Sequence, residues 1–87
     1  MSDIYTADIL LTTTYTDVTV AYPAMANVQS WVQNRGPQEI VVAYTASSTA
    51  PAGGGAYVPM NESWGGSAAH IWVKTLNGTS TCSVGVL

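Results

Sequence analysis

Charge is what this 87-residue sequence has least of: Asp, Glu, Lys and Arg make up 8% of it, against roughly 25% in ordinary soluble domains. Only Arg35 and Lys74 are basic, and the net charge is −3. Two cations cannot neutralise a run of phosphates, so neither nucleic acid nor an anionic membrane surface is an expected partner. Phenylalanine is absent, and there is a single His and a single Cys. A lone Cys82 excludes an intrachain disulfide. Cys82 and His70 together fall short of the about four ligands of a structural zinc site. No apolar run reaches the ~18 residues needed to cross a bilayer. The N-terminus carries Asp3 and Asp8 and no basic region, so it does not read as a signal peptide. We expect a chain made and folded in a cytoplasm, without metal or other cofactor.

The length allows one domain, residues 1–87. Domains this small bury a modest share of their surface and usually gain support from disulfides, metals or partner subunits. With the first two excluded, self-association is the expected route. The sparse charge agrees, because an isolated monomer normally keeps more charge for solubility.

What the sequence does contain is Thr, Val, Tyr and Ile in short runs, punctuated by Gly, Pro, Asn and Ser. No segment holds a helical spacing of apolar residues for three turns, so strands and turns are expected throughout. Ile9–Tyr15 and Thr16–Tyr22 read as strands with a bend at Asp17, the second stopped by Pro23. One helical turn fits between Ala24 and Asn27. From Val28 to Asn34 the residues alternate, with Val28, Ser30 and Val32 on one face and Gln29, Trp31 and Gln33 on the other; either face could be the buried one. Asn34-Arg35-Gly36-Pro37 is a turn signal, predicting a hairpin to Gln38–Tyr44. The unbroken Ile40-Val41-Val42-Ala43 run marks that second strand as central.

Residues 45–56 contain Pro51 and three consecutive glycines and are expected as a long flexible loop. Tyr57 and Val58 start a short strand ended by Pro59, and another beginning near Asn61 is expected to break at Gly65-Gly66. Asn77-Gly78 between His70–Leu76 and Thr79–Val86 is the strongest hairpin signal, since both central positions tolerate positive φ. A two-residue turn there would pair Val73 with Cys82 and His70 with Gly85. Seven to eight short strands point to an all-β antiparallel sandwich, jelly-roll or Greek-key like. Residues 1–8 are expected to form an N-terminal arm that pairs with a neighbour's sheet edge.

Chemistry-bearing constellations are scarce. In the predicted hairpin His70 lies about 10 Å along the strand from the partner of Cys82, too far for a Cys–His pair. The carboxylates are too loosely spaced for a calcium loop, and nothing around Glu39 and Glu62 marks an acid–base pair. Gly53-Gly54-Gly55 lacks the Lys and helix of a phosphate loop. The chain is therefore expected to bind rather than to catalyse. Three Trp and five Tyr each join an apolar body to a polar edge atom, which suits interfaces. The candidate interface residues are Trp64, Tyr57, Trp31, Trp72 and His70. Core packing is the alternative for Trp31 and Trp72, while Trp64, beside two glycines, is the leading exposed anchor. The tryptophans could also stack on sugar rings.

The runs Tyr22-Pro23-Ala24-Met25, Val28 through Gly36, Pro59-Met60-Asn61-Glu62-Ser63 and Ile71-Trp72-Val73 together resemble small virion proteins of tailed bacteriophages, over residues 15–87. Such proteins include jelly-roll capsid decoration or cement proteins. The resemblance implies a non-enzymatic virion component that sits on the major capsid protein as a dimer or trimer and braces the shell. The rival it leaves open is a tail or fibre module in which Trp64 and Tyr57 touch host glycans.

Overall fold

The computed structural model describes residues 3–86, with the backbone alone for residues 3–8. It is an antiparallel β-sandwich of two four-stranded sheets. The strands are β1 (Asp3–Leu11), β2 (Thr16–Asp17), β3 (Ser30–Asn34), β4 (Ile40–Thr45), β5 (Ala56–Val58), β6 (Ser63–Gly66), β7 (His70–Thr75) and β8 (Ser80–Val86). One sheet, here sheet A, runs β1-β8-β3-β6, and sheet B runs β2-β7-β4-β5. The strands nest: β1 pairs with β8, β2 with β7, β3 with β6 and β4 with β5.

Period-two alternation supplies the core. Sheet A turns Leu11, Val32, Cys82 and Val84 inward, and sheet B turns Ile40, Val42, Val58, Ile71 and Val73 to meet them. Val18 and Met25, carried on helical turns at Val18–Ala21 and Pro23–Met25, complete the same cluster. Full burial of each such side chain is worth about 1.5–3 kcal/mol. The ambiguous strand β3 buries Ser30, Val32 and Asn34 and half-exposes Trp31 and Gln33. As expected, β4 is interior, between β7 and β5.

Both predicted hairpins are corrected. A turn does form at Asn77-Gly78, with Gly78 at φ 65°, but β7 lies in sheet B and β8 in sheet A. The same holds for the Arg35–Glu39 turn between β3 and β4. Each turn carries the chain from one sheet to the other, because strands with a buried apolar face on each side of the turn gain more by facing each other across the core than by lying side by side. Val73 therefore pairs with Val42 and Thr16, Cys82 with Ile9 and Asn34, and His70 with Thr45.

Three further expectations change. Residues from Asp3 onward are not a projecting arm, since β1 pairs with β8 of its own chain; Met1 and Ser2 lie outside the described residues. The second half of the predicted Thr16–Tyr22 strand is a helical turn, because Asp17 caps it through a bond from Thr19 N to Oδ1 of 3.0 Å. Gly65 and Gly66 do not end β6 but belong to it.

Asn34 joins the layers at one end. Its Nδ2 donates to Gln38 O (2.7 Å) and Val58 O (2.9 Å), and its Oδ1 accepts from Gly36 N (3.1 Å) and Ser80 Oγ (3.2 Å). Both donors and both acceptor positions of the amide are thus used.

Candidate functional site

Four of the five residues singled out by the sequence lie in two places: the outer face of sheet B, and the edge strands β5 and β6. On the outer face, β7 presents His70, Trp72 and Lys74 in alternation with the buried Ile71, Val73 and Thr75. Asp17 pairs with Trp72 across β2 and β7, which brings its carboxylate to His70. Oδ2 of Asp17 stands 2.7 Å from Nδ1 of His70, and the imidazole stacks on Trp72 with ring centres 6.3 Å apart.

Burial opposes the charge on Asp17, but the Thr19 hydroxyl, His70 and the Thr19 amide together outweigh it and hold the carboxyl below its ordinary range. One carboxylate therefore caps a helical turn and orients an imidazole. A sequence reading misses this pair because its members are 53 residues apart. General-base chemistry would need a reacting group within hydrogen-bond reach of the imidazole. The described residues place none there besides Asp17, and no cavity opens on the described surface. Among the described residues no three His, Cys, Asp or Glu side chains gather as metal ligands. Cys82 is fully buried in sheet A, on the other layer from His70.

The long loop after β4 folds back onto this face. Trp72 Nε1 donates to Thr45 Oγ1 (3.1 Å) and Ser47 O (3.4 Å), and Tyr15 OH donates to Gly54 O at 3.3 Å. Lys74 Nζ sits 4.8 Å from the centre of the Tyr15 ring. Burial, and secondarily the nearby Tyr57, push the Tyr15 hydroxyl above its ordinary pKa. Trp72 ends up buried beneath its own loop, on the outside of sheet B rather than between the sheets. Trp31 also lies outside the core, half-buried on the outer face of sheet A against Gly85.

The β5–β6 side is different. Tyr57 is 63% exposed, Met60 53% and Trp64 47%, and they follow one another along β5, the connecting turn and β6. Tyr44 fixes this side from within: its hydroxyl donates to Ser30 O (3.4 Å) and Trp64 O (3.3 Å), linking sheet B to the last two strands of sheet A. Burial raises the Tyr44 hydroxyl to about 12, against a smaller lowering by its bond to Ser30, so it stays a donor across the physiological range. The backbone behind Trp64 is thereby held while its indole remains half in solvent.

No family model, curated protein or solved structure matches this chain. The site must be read from its own geometry. Of the five candidate residues, the structure exposes Tyr57 and Trp64 on the two edge strands, Tyr57 in register with Val41 on the outer face of sheet B and Trp64 in register with the inward Val32 of sheet A. It joins His70 and Trp72 on the outer face of sheet B and leaves Trp31 on the outside of sheet A. Met60, between two exposed aromatics, is the member that pattern reading passed over, since a Met in a turn carries no periodic signal.

Proposed function

We propose that this chain is a non-enzymatic structural subunit of a tailed-bacteriophage virion, one that binds the assembled capsid as a decoration or cement protein and stabilises it. The observation that carries the reading is the exposure of three large uncharged side chains, Tyr57, Met60 and Trp64, along β5, the following turn and β6 of a chain with so little charge. Large uncharged side chains held on a rigid edge are the usual anchors of protein contacts. The nested strand order also favours it, because double-sheet jelly rolls nest in this way and recur in viral shell and lectin domains, an analogy of fold only. The mechanism is mass action: a subunit that binds only the assembled shell shifts the equilibrium toward that shell. A homo-oligomer presenting several copies of the exposed Tyr57 and Met60 would add avidity.

The rival is a tail or fibre module binding host glycans, favoured by the two exposed rings of Tyr57 and Trp64, which could stack on sugars. Quantitative mass spectrometry of purified virions separates the two. Near-equal copy number with the major capsid protein is the expected result; a small fraction of that number moves the protein to the tail or a vertex, and absence from virions overturns the proposal. Trp64→Ala should weaken capsid binding by about 2 kcal/mol or more.

A further inference from the structure

The free edges of the two sheets are not alike. β1 has a register irregularity between Tyr5 and Ile9, a feature that discourages pairing with another chain. β2 has two residues, and β5 has three and runs into Pro59. β6, Ser63-Trp64-Gly65-Gly66, has no charge, no proline and no irregularity in its register with β3.

Its hydrogen-bonding parity can be read directly. Asn34 N donates to Glu62 O at 2.9 Å, so by alternation Val32/Trp64 and Ser30/Gly66 are the bonded pairs of the β3–β6 ladder. Arg35 N bonding to Thr81 O agrees, since it assigns the alternate residues of β3 to β8. Ser63 and Gly65 therefore turn their N–H and C=O groups to the open edge. Gly65 also lacks an internal reason to be glycine: a β-carbon there would meet only ordinary contacts, the nearest at 3.5 Å.

We propose that β6 is a homodimer edge, pairing antiparallel with β6 of a second copy about a two-fold axis at Trp64, so that sheet A continues across both chains. This register bonds Ser63 of each copy to Gly65 of the other and uses the outward groups of both residues. It places the two Trp64 side chains directly opposite each other in a non-hydrogen-bonded pair, where aromatic contacts are strongest. A second copy is the occupant because the outward groups of Ser63 and Gly65 are complementary to themselves about this two-fold axis, and the uncharged strand keeps the like charges of a chain of net charge −3 out of the contact. Glu62 falls opposite Gly66, and the two Glu62 residues are separated by about 13 Å along the strands, beyond a Debye length of ~8 Å. The inference deepens the proposed assembly role and rests on the reading of the chain as an assembly subunit.

Sedimentation equilibrium of the full chain, with two kinds of variant, tests it. Gly65→Pro removes an outward donor without touching the β3 ladder and should weaken dimerisation at least about tenfold while the unfolding transition persists. Opposed residues of such a pair lie about 4.5 Å apart between α-carbons, within the roughly 4.4–6.8 Å a disulfide spans. Oxidised Trp64→Cys should therefore yield a covalent dimer, and Ser63→Cys should not. A folded chain that stays monomeric, or a dimer in which Ser63→Cys cross-links as readily as Trp64→Cys, overturns the pairing. A dimer with this cross-linking pattern, formed by a chain absent from virions, overturns the capsid role and leaves the pairing standing.

Discussion

The indole of Trp31 lies across Gly85, its direct partner on β8, so closely that a β-carbon at residue 85 would overlap the ring. On the other side of Trp31 the partner is Gly65 of β6. The ring laid over Gly85 covers backbone that would otherwise face water, which compensates for the weakness of glycine within a strand.

That relationship predicts a conditional effect. Gly85→Ala should destabilise the chain by about 1–3 kcal/mol, the cost of forcing an extra carbon into a filled site. In a Trp31→Ala background the same change should cost little. A double-mutant cycle by urea unfolding measures the coupling; additive effects would mean that the ring does not occupy the space above Gly85.

Asn34 is the second point of vulnerability. Asn34→Leu removes the amide partner of Val58 O and Gly36 N and leaves Ser80 Oγ and Gln38 O only their 3.4 Å bond to each other, and unsatisfied buried groups cost about 1–3 kcal/mol each before relaxation. A loss of several kcal/mol in chemical denaturation is expected. Asn34→Asp keeps the shape but, once ionised, cannot donate to the two carbonyls, so its deficit should grow as pH rises through the carboxylate range.

The Asp17 carboxyl governs acid behaviour. Its folded pKa lies below its ordinary value, so its contribution is fully present above the unfolded pKa of about 3.9 and is lost as pH falls through the folded one. Unfolding free energy should decline in that acidic window, and Asp17→Asn should flatten the decline. Asp17→Ala should cost about 1 kcal/mol at neutral pH through loss of the helix cap. Urea titrations between pH 2 and pH 6, values chosen to bracket about 3.9, check both; parallel curves for wild type and Asp17→Asn would contradict the assignment.

Local signals in the sequence were legible where they depended on neighbours in the chain. Pro59 ends β5, Gly78 adopts positive φ in a turn, and Ile40–Ala43 runs through the middle of sheet B. The same reasoning failed at Thr16–Tyr22 because the Asp17 side chain competes for the backbone amide of Thr19 and starts a helical turn. It failed at Gly65-Gly66 because backbone bonds to β3 hold two glycines extended despite their poor propensity. Of the candidate site, the exposure of Trp64 agreed with the two glycines beside it, while the Asp17–His70 pair gave no signal.

By itself the sequence determined that this protein is built of short strands joined by turns, with a single Cys and few charges to shape it. Those properties follow from composition and from interactions a few residues long. Only the tertiary structure decided which sheet each strand enters, that the Asn77-Gly78 turn crosses the core, that Trp72 lies under its own loop, and that Asp17 meets His70. Each of these is settled by pairings such as β1 with β8, between the two ends of the chain. The same alternating pattern serves a strand equally well in either sheet, and it is the burial of both inner faces together that chooses.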